Sequence, residues 1–346
     1  MKLYLSGVNA TGKIPESFGH LTSLRRLRIA SCNLSGFIPK PLWNLTNIDV
    51  LDLAYNHLEG PISDFFRFGK ISWLLLRNNN FDGQIEFLSF SRWMQLELLD
   101  CSFNFLTGPI PSNEFYSESL FTVSLKQNQL QGPIPKSLLN QQRLQFLVFS
   151  RNNLSGQIDS TVCNLTSLQV LNLGSNNLEG TIPLCFGEMS ELQALDLSNN
   201  SLSGAINTTF SIGNQLASLK SLEVLNLSHN HLVGCIPKGK QFDTFENSSY
   251  QGNDGLRGLP LSKDCGGNEG VPQATTPYGL DQEEEERDLS IISWQAVFMG
   301  YGCGLVIGLS IIYIMLLTQY PTWFSRMDVE LEHKILTRTK KHKKRH

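Results

Sequence analysis

One phrase, repeated ten times, governs what this chain can fold into. It reads L-x-L-x-x-N-x-L-x-G-x-I-P, as in Leu171, Leu173, Asn176, Leu178, Gly180, Ile182 and Pro183. The slot of Asn176 recurs at Val8, Cys32, Asn56, Asn79, Asn104, Asn128, Asn152, Asn176, Asn200 and Asn230, in steps of 24, 24, 23, 25, 24, 24, 24, 24 and 30 residues. A period this regular, in units too short to bury a core alone, predicts a stacked solenoid. Within each unit Leu-x-Leu predicts a short strand, with leucines inward and the intervening residues outward. The Asn side chain both donates and accepts, so it can satisfy backbone groups buried between adjacent turns. Cys32 is a small substitute in that slot, and Val8, which cannot hydrogen-bond, is expected to weaken the first turn. Gly60, Gly132 and Gly180 permit a backbone bend, and Ile-Pro then sets an extended segment. Phe18–Leu24 and Leu42–Ile48 space Leu and Phe as a helix or 3-10 turn would, which predicts the convex cover. A leucine-rich chain could instead be a coiled coil, but Gly and Pro in every unit exclude it.

The consensus is that of the leucine-rich repeat. The fold expected is a leucine-rich-repeat solenoid, with a concave sheet of short parallel strands and an irregular or 3-10 convex side, plus one transmembrane helix. Residues 1–238 are the repeats, and 239–265, with Gly252, Gly255, Gly258 and Pro260, read as a C-terminal cap. Residues 266–295 are a linker and an acidic juxtamembrane spacer that includes Asp281–Asp288. Residues 296–317 carry no charge; at about 1.5 Å per residue they can span a hydrocarbon core of roughly 30 Å. Trp294 flanks one end and Tyr320, Trp323 and Phe324 the other, as interfacial aromatics do. That length and those flanks disfavour a buried soluble helix. Residues 318–346 form a short basic tail, which predicts a cytoplasmic C-terminus and repeats outside the cell, at the plasma membrane. The net charge of −3 argues against nucleic acid as a partner.

Sequons for N-glycosylation begin at Asn9, Asn33, Asn44, Asn153, Asn164, Asn199, Asn207, Asn226 and Asn247. They suit a glycosylated ectodomain, although a repeat rich in Asn, Ser and Thr also makes some by chance. Met1 leads directly into a repeat strand, with neither a secretory leader nor a cap before it, so an incomplete N-terminus is expected. Cys163 and Cys185 fall in corresponding convex regions of adjacent units and are expected to pair. Cys235 and Cys265 bracket the cap and are expected to staple it. Cys101 replaces a strand leucine and reads as a small buried apolar residue. Gly300, Gly304 and Gly308 form one smooth stripe on the membrane helix, the pattern of a close helix–helix interface. The tail, under 30 residues long, is too short for a catalytic domain, so a signal crossing the membrane needs a partner. Lys343-Lys344-Arg345-His346 also matches an endoplasmic-reticulum retrieval signal.

The chain resembles plant leucine-rich-repeat receptor-like proteins, and closely the tomato Cladosporium-resistance (Cf-type) group. The resemblance is carried by Leu222–Phe242, Tyr250–Cys265, the acidic spacer, Gly300–Ser310 and Gln319–Asp328. It implies a cell-surface immune receptor without enzyme activity, which detects a pathogen or apoplastic ligand on its concave face. It further implies a receptor-like kinase adaptor bound through the membrane helix, and a co-receptor kinase. The chain departs from the family in lacking a signal peptide, an N-terminal cap, several repeats and a non-repeat island. The 30-residue step across Ser211–Gln215 reads as the junction left by that island.

Candidate ligand contacts are the outward strand residues Arg26, Arg28, Asp52, Tyr55, Trp73, Arg77, Asp100, Lys126, Arg151, Asn172, Asp196 and His229. Their mixed charge and aromatics suit a polypeptide, although ordinary solvated strand faces look the same residue by residue. Competing readings are a truncated decoy that occupies the adaptor kinase without sensing a ligand, and a wall protein similar to polygalacturonase inhibitors. An enzyme is least favoured. The seven His residues show no metal-ligand spacing, no nucleophile motif stands in a suitable turn, and no cofactor is expected.

Overall fold

The computed structural model describes residues 1–85, 93–112, 119–206, 221–237, 242–261 and 265, all within Met1–Gly270. The expected membrane span, its glycine stripe at Gly300, Gly304 and Gly308, the spacer, the basic tail and the sequon at Asn207 lie outside the described residues. Among those described, no helix is long and apolar enough to cross a membrane.

The repeats wind into successive coils. Each contributes one short strand to a ten-stranded parallel sheet whose spatial order is the order of the chain. The strands run from Lys2–Ser6, Arg26–Ala30 and Val50–Asp52 to Ala194–Asp196 and Val224–Asn226. Register is conserved from strand to strand: Leu27 pairs with Leu51, Leu51 with Leu74, Leu74 with Leu99, and so on to Leu225. This row of central residues is buried from Leu27 onward. Strands of period 2 give one buried and one displayed face, so the outward residues also align in rows. A second set of parallel strands follows the Asn slot, in one seven-stranded and one three-stranded sheet. The described convex side is made mostly of single 3-10 turns, such as Glu16–His20, Lys40–Asn44 and Ser160–Asn164, with one α-helical turn at Lys136–Leu139. Aromatics fill it locally, with Trp43 and Phe65 edge to face at 5.4 Å and Phe66 and Trp93 at 4.5 Å between centroids.

The Asn slot is a stitch between coils. Asn104 is buried; its Oδ1 accepts from Phe81 N–H at 3.0 Å, and its Nδ2 donates to the carbonyls of Leu76, Cys101 and Ser102 at 3.1 Å each. Phe81 and Leu76 belong to the preceding coil. The same pattern runs from Asn56 to Asn230. Because each Asn bonds backward, the junction of the first two coils depends on position 32. Cys32 offers only a thiol contact to Ala30 within its own coil. A weak seam therefore arises at Cys32, in addition to the loss at exposed Val8 of the bonds that a slot Asn makes within its own coil.

Two features escaped the repeat pattern. The 30-residue step changes nothing in the wall: Val224–Asn226 pairs in register with Ala194–Asp196, and Asn230 bonds Leu197 and Leu202 as its counterparts do. Residues 242–261 add a partial eleventh coil. Asn253 accepts from Leu232 N–H at 3.0 Å and donates to Leu227 and Tyr250, so the stitch recurs 23 residues after Asn230. It went unseen because the next leucine, Leu256, comes one place late.

Candidate ligand-binding face

Three rows of outward side chains cross the concave sheet. The first contains Arg26, Val50, Trp73, Leu98, Thr122, Phe146, Val170, Ala194 and Val224. The second contains Arg28, Asp52, Leu75, Asp100, Ser124, Val148, Asn172, Asp196 and Asn226. The third, just past the strand ends, includes Ala54, Arg77, Ser102, Lys126, Ser150, Gly174, Ser198 and Ser228. Arg26, Arg28, Asp52, Trp73, Asp100, Asn172 and Asp196 thus stand on the strands as expected. Arg77 and Lys126 lie two residues past them, while Tyr55, Arg151 and His229 lie in a fourth row, immediately before the Asn slot.

That fourth row has a backbone signature. Ser31, Tyr55, Asn78, Phe103, Gln127, Arg151, Ser175, Asn199 and His229 all have φ between 51° and 58°. A side chain there strains the backbone by about 1–2 kcal/mol relative to glycine, less for Asn. Gly7 and Gly252 show the strain-free choice at the same place. Ser and Asn are unremarkable in that row, but Tyr55, Phe103, Arg151 and His229 are not. A strained bulky residue is retained only where the fold over-determines it, and such positions cluster at functional sites. Phe103 belongs to the same row as Tyr55, Arg151 and His229 but was not among the candidates.

The bulky members of the row meet the cations of the third. The Arg77 guanidinium lies 5.5 Å from the Tyr55 ring centroid and 5.2 Å from that of Phe103. Lys126 Nζ lies 5.4 Å from the same Phe103 ring. Aromatic and cation alternate over four successive coils, an arrangement that attracts through the ring quadrupole and stiffens long side chains. Next along the row, Arg151 Nη1 donates to Gln127 Oε1 at 3.2 Å. His229 sits against Gly252, where an added Cβ would come within 2.5 Å of its Nδ1.

The acids of the second row have a structural task. Asp52, Asp100, Asn172, Asp196 and Asn226 each accept from the backbone N–H two residues on, which turns the chain out of the strand. Asp52 also receives Arg28 Nε at 3.1 Å on its other oxygen. Burial raises the Asp52 pKa; the Ala54 N–H and then Arg28 oppose the rise, and Asp100 adds to it. At one margin Arg26 faces Asp49 at 3.5 Å and Trp73 Nε1 donates to Glu97 at 2.9 Å. Among the described residues no group of His, Cys, Asp or Glu is arranged to hold a metal.

The sulfurs of Cys163 and Cys185 are bonded, joining adjacent convex turns with Cα atoms 5.7 Å apart, and Cys235 is bonded to Cys265, with Cα atoms 5.8 Å apart. Cys101 is buried, and burial raises its thiol pKa far out of the reactive range. The sequons scatter around the coil. Asn153 begins a lateral strand, Asn9 and Asn33 follow the slot at the same place in the first two coils, Asn44 and Asn164 end convex turns, and Asn247 begins the last 3-10 turn. All six are exposed. Asn199 stands in the fourth row and Asn226 on the concave sheet itself.

Comparison with known proteins agrees with this architecture. Leucine-rich-repeat profiles match residues 142–202 and 166–232, and a further one matches 23–45. Receptor-like protein Cf-9 of Solanum pimpinellifolium is 72% identical over 109 residues, which is 32% of this chain and 12% of that protein. Receptor like protein 28 of Arabidopsis thaliana is 38% identical over 80 residues, 23% of this chain and 10% of that one. The chain thus spans a small part of the length of both. A plant ice-binding protein superimposes with a TM-score of 0.64 at 31% identity, over 75% of this chain and 82% of that one. Plant peptide hormone receptor RGFR1, solved with RGF2, gives 0.58 at 30% identity, over 68% and 41%. The chain belongs to the leucine-rich-repeat proteins, and its relatives there are plant receptor-like proteins of the Cf type.

Proposed function

We propose that this chain is a non-enzymatic, cell-surface receptor-like protein of plant defence, which holds an extracellular polypeptide on its concave face and signals through partner receptor kinases. The observation that carries the binding part is the ladder of Tyr55, Arg77, Phe103 and Lys126. It combines stiffened cations with rings kept in a strained backbone row, and such rings and guanidinium groups dominate polypeptide interfaces. The Cf-type relatives, and the likeness to the plant peptide hormone receptor RGFR1, support the same reading. The kinase partners rest on the glycine stripe of the expected membrane helix.

The test uses cells expressing the full chain, challenged with fractionated apoplastic peptides. Arg77→Ala with Phe103→Ala should abolish the response and leave recovery of the adaptor kinase unchanged. Gly304→Leu should do the reverse to the pull-down and reduce adaptor recovery. A response that survives the double substitution overturns the concave-face reading. The 30-residue step favours a second reading, a decoy that engages the adaptor without sensing a ligand. Full adaptor recovery with no response to any fraction would support it.

A further inference from the structure

The inner wall is expected to carry one modification of its own. Asn226 is the last residue of the strand Val224–Asn226, in register with Asp196, and it begins the sequon Asn226-Leu227-Ser228. Its Oδ1 accepts from Ser228 N–H at 3.2 Å and from Ser228 Oγ at 2.7 Å. Those two bonds pin one edge of the planar amide against the wall. The other edge, Nδ2, has no protein partner among the described residues, yet is not sealed from solvent. A sugar linked to Nδ2 would break no hydrogen bond. The stitching residue Asn230, four places on, is the opposite case, because its Nδ2 donates to three carbonyls.

We propose that an N-glycan on Asn226 covers the C-terminal end of the concave wall, and that a polypeptide ligand is thereby confined to the coils before it. The proposal rests on the concave-face reading above. Two observations shape it. Asn199, also in a sequon, is exposed on the adjoining coil, and its N–H bonds Ser228 O at 2.9 Å, so the sugars of the two sites would share one end of the wall. Residues 45–152, by contrast, contain no sequon. That gap brackets Tyr55, Arg77, Phe103 and Lys126, so the ladder stays bare while the wall beyond it is covered.

The experiment expresses the full chain behind a secretion leader in plant leaf cells. Site occupancy is read by enzymatic deglycosylation in heavy-oxygen water and peptide mass spectrometry. Asn44, Asn164 and Asn226 should all convert to heavy-labelled Asp. Carbene footprinting then compares the wild type with Asn226→Gln and Ser228→Ala, which remove the sequon in two ways, and with Ser228→Thr, which keeps it. In the first two, labelling of Val224 and His229 should rise severalfold while that of Tyr55 and Phe103 stays constant; Ser228→Thr should match the wild type. A bare Asn226 with Asn44 and Asn164 occupied overturns this proposal alone, as does unchanged labelling of Val224 and His229 in the first two variants. If every sequon is bare, this proposal and the ectodomain reading fall together.

Discussion

Removing a single stitch should open one coil junction and leave the rest of the spring intact. Asn104 is the best place to test this, because its four bonds are all to buried backbone and it lies far from both ends. In Asn104→Ala the three carbonyls keep other donors or lose only part of their bonding, but the Phe81 N–H is left buried with no acceptor. A stranded buried donor costs about 1–3 kcal/mol, and with the lost donor bonds the total should be about 2–4 kcal/mol. Asn104→Asp should be worse, although it keeps the acceptor for Phe81, because a carboxylate would then face the carbonyls of Leu76, Cys101 and Ser102. Asn80→Ala, an exposed change nearby, should stay within about 0.5 kcal/mol.

Solenoid stability is a sum of units and nearest-neighbour junctions, so the loss should be local. Urea unfolding of the full chain gives the magnitude, and native-state hydrogen exchange gives the place. The Phe81 amide should lose protection first, with amides beyond the neighbouring coils little changed. The reasoning is refuted if Asn104→Ala shifts stability no more than Asn80→Ala, or if Phe81 keeps its protection, or if Asn104→Asp proves the milder of the two.

Cys32→Asn should supply the missing stitch to the first coil and raise stability by about 0.5–1.5 kcal/mol, read as slower exchange of amides in residues 2–10. Phe103→Gly should relieve the left-handed strain, raising urea resistance by about 1 kcal/mol, yet abolish any ligand response. Replacing Cys163 and Cys185 by Ser opens a loop whose ends are 22 residues apart and should lower stability by about 3 kcal/mol in the chain-entropy account. Tyr250 is fully buried with its hydroxyl unpartnered, so Tyr250→Phe should be neutral or stabilising by up to about 1 kcal/mol. Asp159 is held at about 2, below the ordinary 3.8, first by its bond to Lys136 Nζ and then by Thr161 N–H. A depressed carboxylate stabilises only while ionised. Its contribution is present above the ordinary value and fades as pH falls toward 2. Asp159→Asn should flatten that acid limb slightly, and salt should weaken the effect because the pair is exposed.

The winding of the coil was legible because three residue types repeat for three separate physical reasons. Leucine must be buried, asparagine must pair backbone groups between coils, and glycine must bend, which Gly60, Gly83, Gly108 and their successors do with positive φ. Direction was less legible. The sequence shows that Asn satisfies a neighbour but not which one, so Val8 was legible as a weak place while the seam at Cys32, set by the backward bonds, was not. The eleventh coil was hidden by a one-residue delay, since Leu256 lies three places after Asn253 where Leu178 lies two after Asn176. A pattern read at fixed spacing misses such a shift, whereas the backbone absorbs it by bonding Leu256 N–H to Asn253 O.

The face was legible in part, on the strands and at several positions just past them, such as Arg77 and Tyr55. Trp73 was found by alternation, whereas Asp52 proved buried and bonded to the Ala54 N–H. Phe103 was not found, although Tyr55, Arg151 and His229 of the same row were; the conformation that unites them is one that no hydrophobic pattern records. Alternation also mistook work done inward for display outward: Asp100 and Asp196 are directed to the N–H groups of Ser102 and Ser198 before any ligand is considered. The informative signal is a conflict between levels. Every coil needs a left-handed residue before its stitch, and glycine, asparagine or serine would serve. Where Tyr55, Phe103 and Arg151 stand instead, local preference is overridden. Packing between coils does not demand those large groups there, since Ser31 and Ser175 occupy the same place. We propose that this demand comes from a ligand, which makes the fourth row, more than the strands, the place to test for specificity.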